Sequence, residues 1–479
     1  MQSLLIDSIR QHLYGYGRFY LWNKGNRLIK GSHWFPDLKS RKKPLYLAIV
    51  ESIADDIRAG RLAAGERLPS QRALAKALRI DLTTVSRALL EANRRGLIDT
   101  ASGRGTFIRK PSSRSAPRPD PAPSIMPPMP SDAELRSLFR EGMENVLQRT
   151  DLGEILRHRT GGNTAADHRI AAQWLSPRLE VADLGRVVVA PGVQSVLAAV
   201  LTMFAGRGDV ILTERLADPG VRAVALHFGM RLVGLETDED GILPDALEAA
   251  SVQLNPKILC CAPTLHYPTT ATTSLERRRA LAAVIIKHGL MVLENDTYAS
   301  LANDAPPPLA ALAPEQTIYL RGFSKIIIPA LRVAYVVTPS APCALRLMEA
   351  LRAISLTASP MATTLTGQWI ADGTAQKLLN AVRRETMARH RLARTLLPHG
   401  TFRGAPGADF LWLALPAPLF TSEFLAFVRQ LGLAIASARD FTVSGAPPDA
   451  VCLGLGTARD QDTLRNALTA VAAAMARPQ

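Results

Sequence analysis

Residues 291–337 read MVLENDTYASLANDAPPPLAALAPEQTIYLRGFSKIIIPALRVAYVV. Three short runs in this stretch, Met291–Leu293, Ile318–Leu320 and Val333–Val337, are apolar throughout instead of alternating with polar residues. Such runs, bounded by helical segments, predict parallel strands covered on both faces. Polar residues cluster where the first two runs stop. Asp296, Thr297 and Tyr298 follow the first; Gly322, Phe323, Ser324 and Lys325 follow the second, and Arg332 comes seven residues later. In a doubly wound sheet, ligands bind beyond the carboxyl ends of the strands. The pattern therefore predicts a carboxylate, a phenol and an amine gathered along one sheet edge.

The same rhythm extends upstream through Val187–Ala190, Val210–Thr213 and Ile258–Ala262. Pro191-Gly192-Val193-Gln194 follow the first of these, with a helix expected from Ser195. Free backbone N–H groups at a helix start hold phosphate well. The residue types fit one chemistry. A lysine amine condenses with an aldehyde to give a Schiff base. A carboxylate facing a pyridine nitrogen keeps it protonated and makes the ring an electron sink. A phenol can bond the ring hydroxyl, while arginine and serine neutralise a phosphate dianion. The set predicts a pyridoxal 5'-phosphate pocket with Lys325 as its Schiff-base lysine. The plain alternatives are a surface lysine at 325 and a turn or helix cap at Asp296.

Charge marks out a second region. The formal net charge is +15, and residues 1–114 carry 22 Lys/Arg against 9 Asp/Glu, so the basic excess is concentrated there. A basic front on a near-neutral body is the electrostatic footprint of nucleic-acid binding. Within it, Leu45, Ala48, Ile49, Ile53 and Ile57 recur at helical spacing; Gly60 stops this helix, and Gly65 breaks the segment after it. Ser70 is placed to cap a second helix whose buried face is Leu74, Ala75 and Leu78. Asp81 is placed to cap a third, carrying Thr83, Thr84, Ser86 and Arg87. Short hydroxyl side chains with one arginine suit close approach to a major groove. Gly103-Arg104-Gly105-Thr106-Phe107-Ile108 reads as a β wing with Arg104 at its tip.

The predicted organisation is an extension over 1–43 with no assigned fold, a winged helix-turn-helix domain over 44–110, a proline-rich linker over 111–131, and an α/β domain over 132–475. Proline at the linker's density excludes helix and central strand. The four cysteines, Cys260, Cys261, Cys343 and Cys452, form neither a metal motif nor a disulfide framework. No apolar stretch is long enough to span a bilayer. Asp7, Arg10, His12 and Arg18 interrupt any signal-peptide core, so the expected compartment is the cytoplasm.

The front resembles the winged helix of the GntR superfamily through LPSQRALAKAL (68–78), DLTTVSRALLEANRRGLI (81–98) and GRGTF (103–107). The resemblance implies DNA contacts from Arg72, Thr84 and Arg87, with Ser70 and the wing residues Gly103, Arg104 and Gly105 close to phosphate. The body resembles fold-type I aminotransferases through PTLHYPTT (263–270), ENDTY (294–298) and GFSKIIIPALRVAY (322–335). Together they resemble MocR-type regulators, which implies a multidomain chain: a winged helix-turn-helix and an α/β transferase-like fold with large and small domains. It implies that Lys325 holds the cofactor, Asp296 pairs with the pyridine nitrogen and Tyr298 contacts the ring hydroxyl. Ser324 and Arg332 would meet the phosphate, Gly192, Val193 and Gln194 its binding turn, and Tyr267 the cofactor. The implied partners are double-stranded operator DNA, an amine or cofactor effector, and a second copy in a head-to-tail homodimer.

The departures from that pattern are specific. Leu82 and Ser86 stand where the GntR superfamily often has arginine. Tyr267 stands where an asparagine is usual, Asp218 and His158 where tyrosines are usual, and Gly322 where a serine is common. Cys452, in AVCLGLG, stands where an arginine would clamp a substrate carboxylate. A neutral thiol cannot supply that bidentate partner. Either the effector is not an ordinary α-amino acid, or another cation, Arg459 among the candidates, holds its carboxylate. The expected function is a cofactor-dependent transcriptional regulator. The alternatives are a working aminotransferase and a degenerate dimerisation scaffold.

Overall fold

The computed structural model describes residues 34–36, 44–59, 61–63, 65–94, 97–101, 105–108, 128, 132–149, 153, 163–302, 304–416 and 421–476. Gly103, Arg104 and His158, the extension over 1–43 apart from 34–36, and the linker apart from Pro128 lie outside them. The chain divides into two compact units, Met1–Pro119 and Asp120–Gln479.

In the first unit, helices Leu45–Arg58, Gln71–Leu78 and Leu82–Arg94 pack around Ile49, Ile53, Leu74, Val85 and Ala88, all fully buried. Both expected caps are present. Ser70 Oγ accepts from the amide of Ala73 at 3.2 Å, and Asp81 Oδ1 accepts from that of Thr83 at 2.7 Å. Strands β1 (Ile98–Ala101) and β2 (Gly105–Ile108) run antiparallel, Ile98 opposite Ile108. The segment before Ser70 adds a third rung to this ribbon: Gly65 N–H bonds Ile108 O, Ile108 N–H bonds Glu66 O, and Leu68 N–H bonds Thr106 O. The wing is thereby tied to the start of the second helix.

The second unit is built on a seven-stranded sheet. Its strands are β3 (Val187–Ala190), β4 (Val210–Glu214), β5 (Arg231–Leu235), β8 (Ile258–Cys261), β9 (Met291–Asn295), β10 (Thr317–Gly322) and β11 (Ala334–Val337), with a separate hairpin of β6 (Thr237–Asp238) and β7 (Gly241–Ile242). The order is β3-β11-β10-β9-β8-β4-β5. Alternate residues enter opposite cores: Val187, Val189, Tyr319, Tyr335 and Val337 face one, Val188, Ala190, Ile318, Ala334 and Val336 the other. This is why the runs are apolar throughout.

One expectation is corrected. The run Val333–Val337 forms β11, which is antiparallel to both of its neighbours, β10 and β3. The connection from β10 to β11 spans only 323–333 and is occupied by two 3-10 turns, Ser324–Ile326 and Pro329–Leu331. A parallel return needs a dozen or more residues, usually with a helix. Apolarity reported burial on both faces here, and strand direction was set by loop length. A smaller adjustment concerns the helix after β3, which starts at Val193, two residues ahead of Ser195.

A four-stranded antiparallel sheet completes the unit: β12 (Phe402–Arg403), β13 (Phe410–Ala414), β14 (Ile435–Ser437) and β15 (Ala450–Gly454), in the order β12-β13-β15-β14. Helices Thr374–Leu396, Thr421–Gln430 and Gln461–Ala476 enclose it over a leucine-rich core. Among the described residues no helix is long and apolar enough to cross a membrane.

Candidate cofactor and effector site

Asp296 leaves the end of β9 with its amide bonded to Leu320 O of β10 at 2.9 Å. Its carboxylate is fully buried. Oδ2 accepts from the Tyr319 hydroxyl at 2.8 Å and from Arg178 Nε at 3.1 Å. Arg178 is itself fixed by donating to Ala305 O at 2.7 Å. Oδ1 has no hydrogen-bond partner among the described residues. A buried carboxylate oxygen with no donor is costly, so the geometry leaves one directed acceptor at this strand end.

Two residues on, Tyr298 lies in the 3-10 turn Thr297–Leu301, and its buried hydroxyl is also without a partner among the described residues. Burial pushes this phenol far above its ordinary pKa, with the charge of Asp409 adding to the effect, so it is a neutral donor. The strand ends are pinned by Thr297, whose Oγ1 accepts from Gly322 N–H at 3.0 Å and donates to Asn295 Oδ1 at 2.6 Å.

Lys325 is half-buried in the turn after β10. Its Nζ stands 4.8 Å from the ring centroid of Tyr267 and 5.0 Å from that of Tyr298. Asp218 Oδ2 is 3.9 Å away. Asp218 is thus paired with an ammonium on one oxygen, while Oδ1 caps helix Pro219–Phe228 through Gly220 N–H at 2.7 Å. The aromatic wall continues through Phe410 and Phe441, with centroids 5.0 and 5.1 Å from that of Tyr267.

The turn after β3 supplies the remaining edge. Gly192 holds φ +94°, a conformation that favours glycine, and begins helix Val193–Phe204 with no side chain capping its first turn. The backbone of Arg332 packs beside Gly192; the Arg332 side chain is exposed. The exposed Gln194 points its amide to Gly220 O at 3.2 Å. The side chain of Ser324 lies outside the described residues. Gly322, noted as a departure, has a packing cause: a Cβ there would stand 2.7 Å from Val193 Cγ2 and 3.0 Å from Thr297 Oγ1.

Cys452 is fully buried in β15, opposite Trp412 of β13 and Ala436 of β14. Burial raises its thiol pKa far above the ordinary range, Asp409 adds to this and Lys325 opposes it, leaving a neutral thiol. Sequence reasoning missed three residues of the site: Arg178 and Tyr319, which hold Asp296, and Asp409, which precedes β13. The signal for Asp409 was a lone charge heading the apolar run in GADFLWLALP. Arg178, distant in sequence, carried none.

Of the residues named for DNA, Ser70 caps the second helix, Arg72 lies on it, Thr83, Thr84, Ser86 and Arg87 lie on the third, and Gly105 begins β2. Arg72 and Thr83 are exposed; Thr84 is half-buried. Thr83 Oγ1 donates to Asp81 at 2.6 Å and Ser86 Oγ to Gln71 at 3.0 Å, so both hydroxyls have internal acceptors. Arg87 is exposed and stacks 4.2 Å from the ring centroid of Tyr46.

Comparison with known proteins agrees with this architecture. Residues 45–108 match the family described as bacterial regulatory proteins, gntR family, and residues 142–468 match aminotransferase class I and II. The fold and site define a helix-turn-helix unit joined to an aminotransferase-like unit. The chain belongs to the MocR-type regulators of the GntR superfamily, and to the class I and II aminotransferase family through its larger unit. It is 28% identical to the uncharacterized HTH-type transcriptional regulator YdeF of Bacillus subtilis, over 87% of this chain and 91% of that one. It is 26% identical to the HTH-type pyridoxine biosynthesis transcriptional regulator PdxR of Corynebacterium glutamicum, over 89% and 95%. Among solved structures, LysN, the α-aminoadipate aminotransferase of Thermus thermophilus, superposes with a TM-score of 0.65 at 23% identity, over 73% of this chain and 91% of that one.

Proposed function

We propose that this regulator binds pyridoxal 5'-phosphate at Lys325 and responds to an amine, or to the cofactor itself, by altering its grip on operator DNA. The observation that carries the reading is a pair of buried groups without hydrogen-bond partners among the described residues, at the ends of strands next to the turn of Lys325. Asp296 Oδ1 is an anionic acceptor fitted to a protonated ring nitrogen, and the Tyr298 hydroxyl is a donor fitted to a ring oxygen. The free amides at the start of helix Val193–Phe204 offer a phosphate site, and Arg332 is the adjacent cation. When bound, the cofactor supplies an aldehyde that condenses with an amine and a ring that accepts electrons.

The rest is work of the protein's own residues. Arg178 and Tyr319 orient the Asp296 carboxylate. Tyr267 and Tyr298 hold the Lys325 ammonium by cation–π attraction, and Asp218 adds charge pairing. An incoming amine competes for these contacts. It changes the balance between arrangements of the unit only if it binds them with different affinity. The regulator is read as a cytoplasmic head-to-tail homodimer, with Arg72, Thr84 and Arg87 among its DNA contacts.

The decisive experiment is an absorption spectrum of the purified full chain with added cofactor, followed by operator titrations with and without amines. The reading expects a visible band that is lost in Lys325→Ala, and operator affinity that changes with cofactor or amine. Affinity indifferent to both would favour a scaffold, and steady transamination of an amino donor and a keto acid would favour an enzyme.

A further inference from the structure

Asp409 is 1% exposed, and neither of its carboxylate oxygens has a hydrogen-bond partner among the described residues. The main chain holds it in place: its carbonyl accepts from Leu455 N–H at 2.8 Å, and Phe410 behind it begins β13. Two residues earlier, Gly407, at φ +97°, lets the backbone close onto the carbonyl of Leu301, where a Cβ would collide. Leu301 ends the turn that carries Tyr298, so this segment is docked on the site. The charge of Asp409 acts on Tyr267, Tyr298 and Cys452, and Lys325 is the cation that acts on Asp409. Burial pushes the Asp409 carboxyl up to about 6 against the pull of Lys325 and of its own backbone amide.

The pocket therefore combines a buried carboxylate that no other described residue hydrogen-bonds, a second carboxylate at Asp218, a neutral thiol at Cys452, and rings around the ammonium of Lys325. Aromatic faces with carboxylates form a site for cations. The carboxylate of an α-amino acid would meet Asp409 as a like charge in a poorly screened interior. A diamine fits instead: one amino group meets the Lys325 end and the other supplies the donors that Asp409 lacks. We propose that the effector is a diamine-type amine whose distal ammonium pairs with Asp409, and not an amino acid held by its carboxylate. This rests on the reading of Lys325 as the amine-responsive centre.

The test uses the full chain loaded with pyridoxal 5'-phosphate, with binding followed by calorimetry and by the visible band. The probes are 1,4-diaminobutane, n-butylamine, 4-aminobutanoate and L-alanine. A charge-assisted hydrogen bond predicts that 1,4-diaminobutane binds at least ~10-fold more tightly than the other three. Asp409→Asn should bring the ratio of diamine to butylamine affinity close to one. Cys452→Arg, which sets a guanidinium near Asp409, should abolish the diamine preference by a separate route. The proposal is overturned if either acid binds more tightly than the diamine, if Asp409→Asn keeps the full preference, or if the loaded protein binds no amine. A wild-type protein with no visible band refutes the reading of Lys325 itself, and the diamine proposal falls with it.

Discussion

Replacing Asp409 by asparagine should stabilise the cofactor-free protein at neutral pH. The carboxyl is raised from 3.8 to about 6, chiefly by burial. A raised carboxyl means that the folded state holds the proton more tightly than the unfolded chain. Its stabilising contribution is complete below about pH 3.8 and is lost as pH rises through about 6. The gap between those values corresponds to about 3 kcal/mol, carried in full by the wild type near neutrality and absent from the neutral amide. At an unfolding entropy of roughly 2 cal/mol/K per residue, a unit the size of Asp120–Gln479 would gain about 4 °C in Tm. Differential scanning calorimetry of full-length wild type and Asp409→Asn, from about pH 5 to about pH 8, measures both the gain and its pH dependence. The advantage should level off above about pH 6, fall to about half by pH 5, and vanish only below about pH 3.8. Equal stability of the two proteins at neutral pH, or an asparagine advantage that does not fall with acidification, would refute the reasoning.

Four further outcomes are expected from the geometry. Lys325→Ala should eliminate the visible band while leaving the far-ultraviolet circular dichroism unchanged. Tyr319→Phe removes a donor from the Asp296 carboxylate and should cost about 1.5–3 kcal/mol in denaturant unfolding, with weaker cofactor binding by fluorescence titration. Gly322→Ala forces a Cβ against Val193 and Thr297; it should lower Tm and cofactor affinity together, and an unchanged Tm would show that the joint has room. Arg87→Ala should weaken binding to DNA fragments selected by the wild type from a random pool, by about 1–3 kcal/mol if Arg87 reads a base, as measured by gel shift.

The local pattern carried much of the architecture. Apolar runs of three to five residues separated by helical periods are enough to read a doubly wound sheet, because only burial on both faces tolerates them. Ser70 and Asp81 were readable as caps because capping depends on neighbours two or three residues away. The chemistry at the strand ends was readable for a related reason: Asp296 and Lys325 each follow a strand directly, and the sheet turns that sequence position into a shared edge. The direction of β11 was not readable from apolarity, although the short connection before it held the answer.

By itself, then, the sequence determined a helix-turn-helix front, an α/β body and a carboxylate and an amine following two neighbouring strands, since these rest on short-range spacing and on the kind of residue present. Only the tertiary structure decided what surrounds them. Arg178 and Tyr319 reach Asp296 from 118 and 23 residues away. Gly407 allows the segment bearing Asp409 to settle against the turn of Tyr298. Cys452 is read as a missing arginine from the sequence, but beside Asp409 it becomes part of a pocket of opposite electrostatic character. Contacts between distant segments depend on how helices and sheets pack against one another, and that packing is a property of the whole unit that no local window of residues contains.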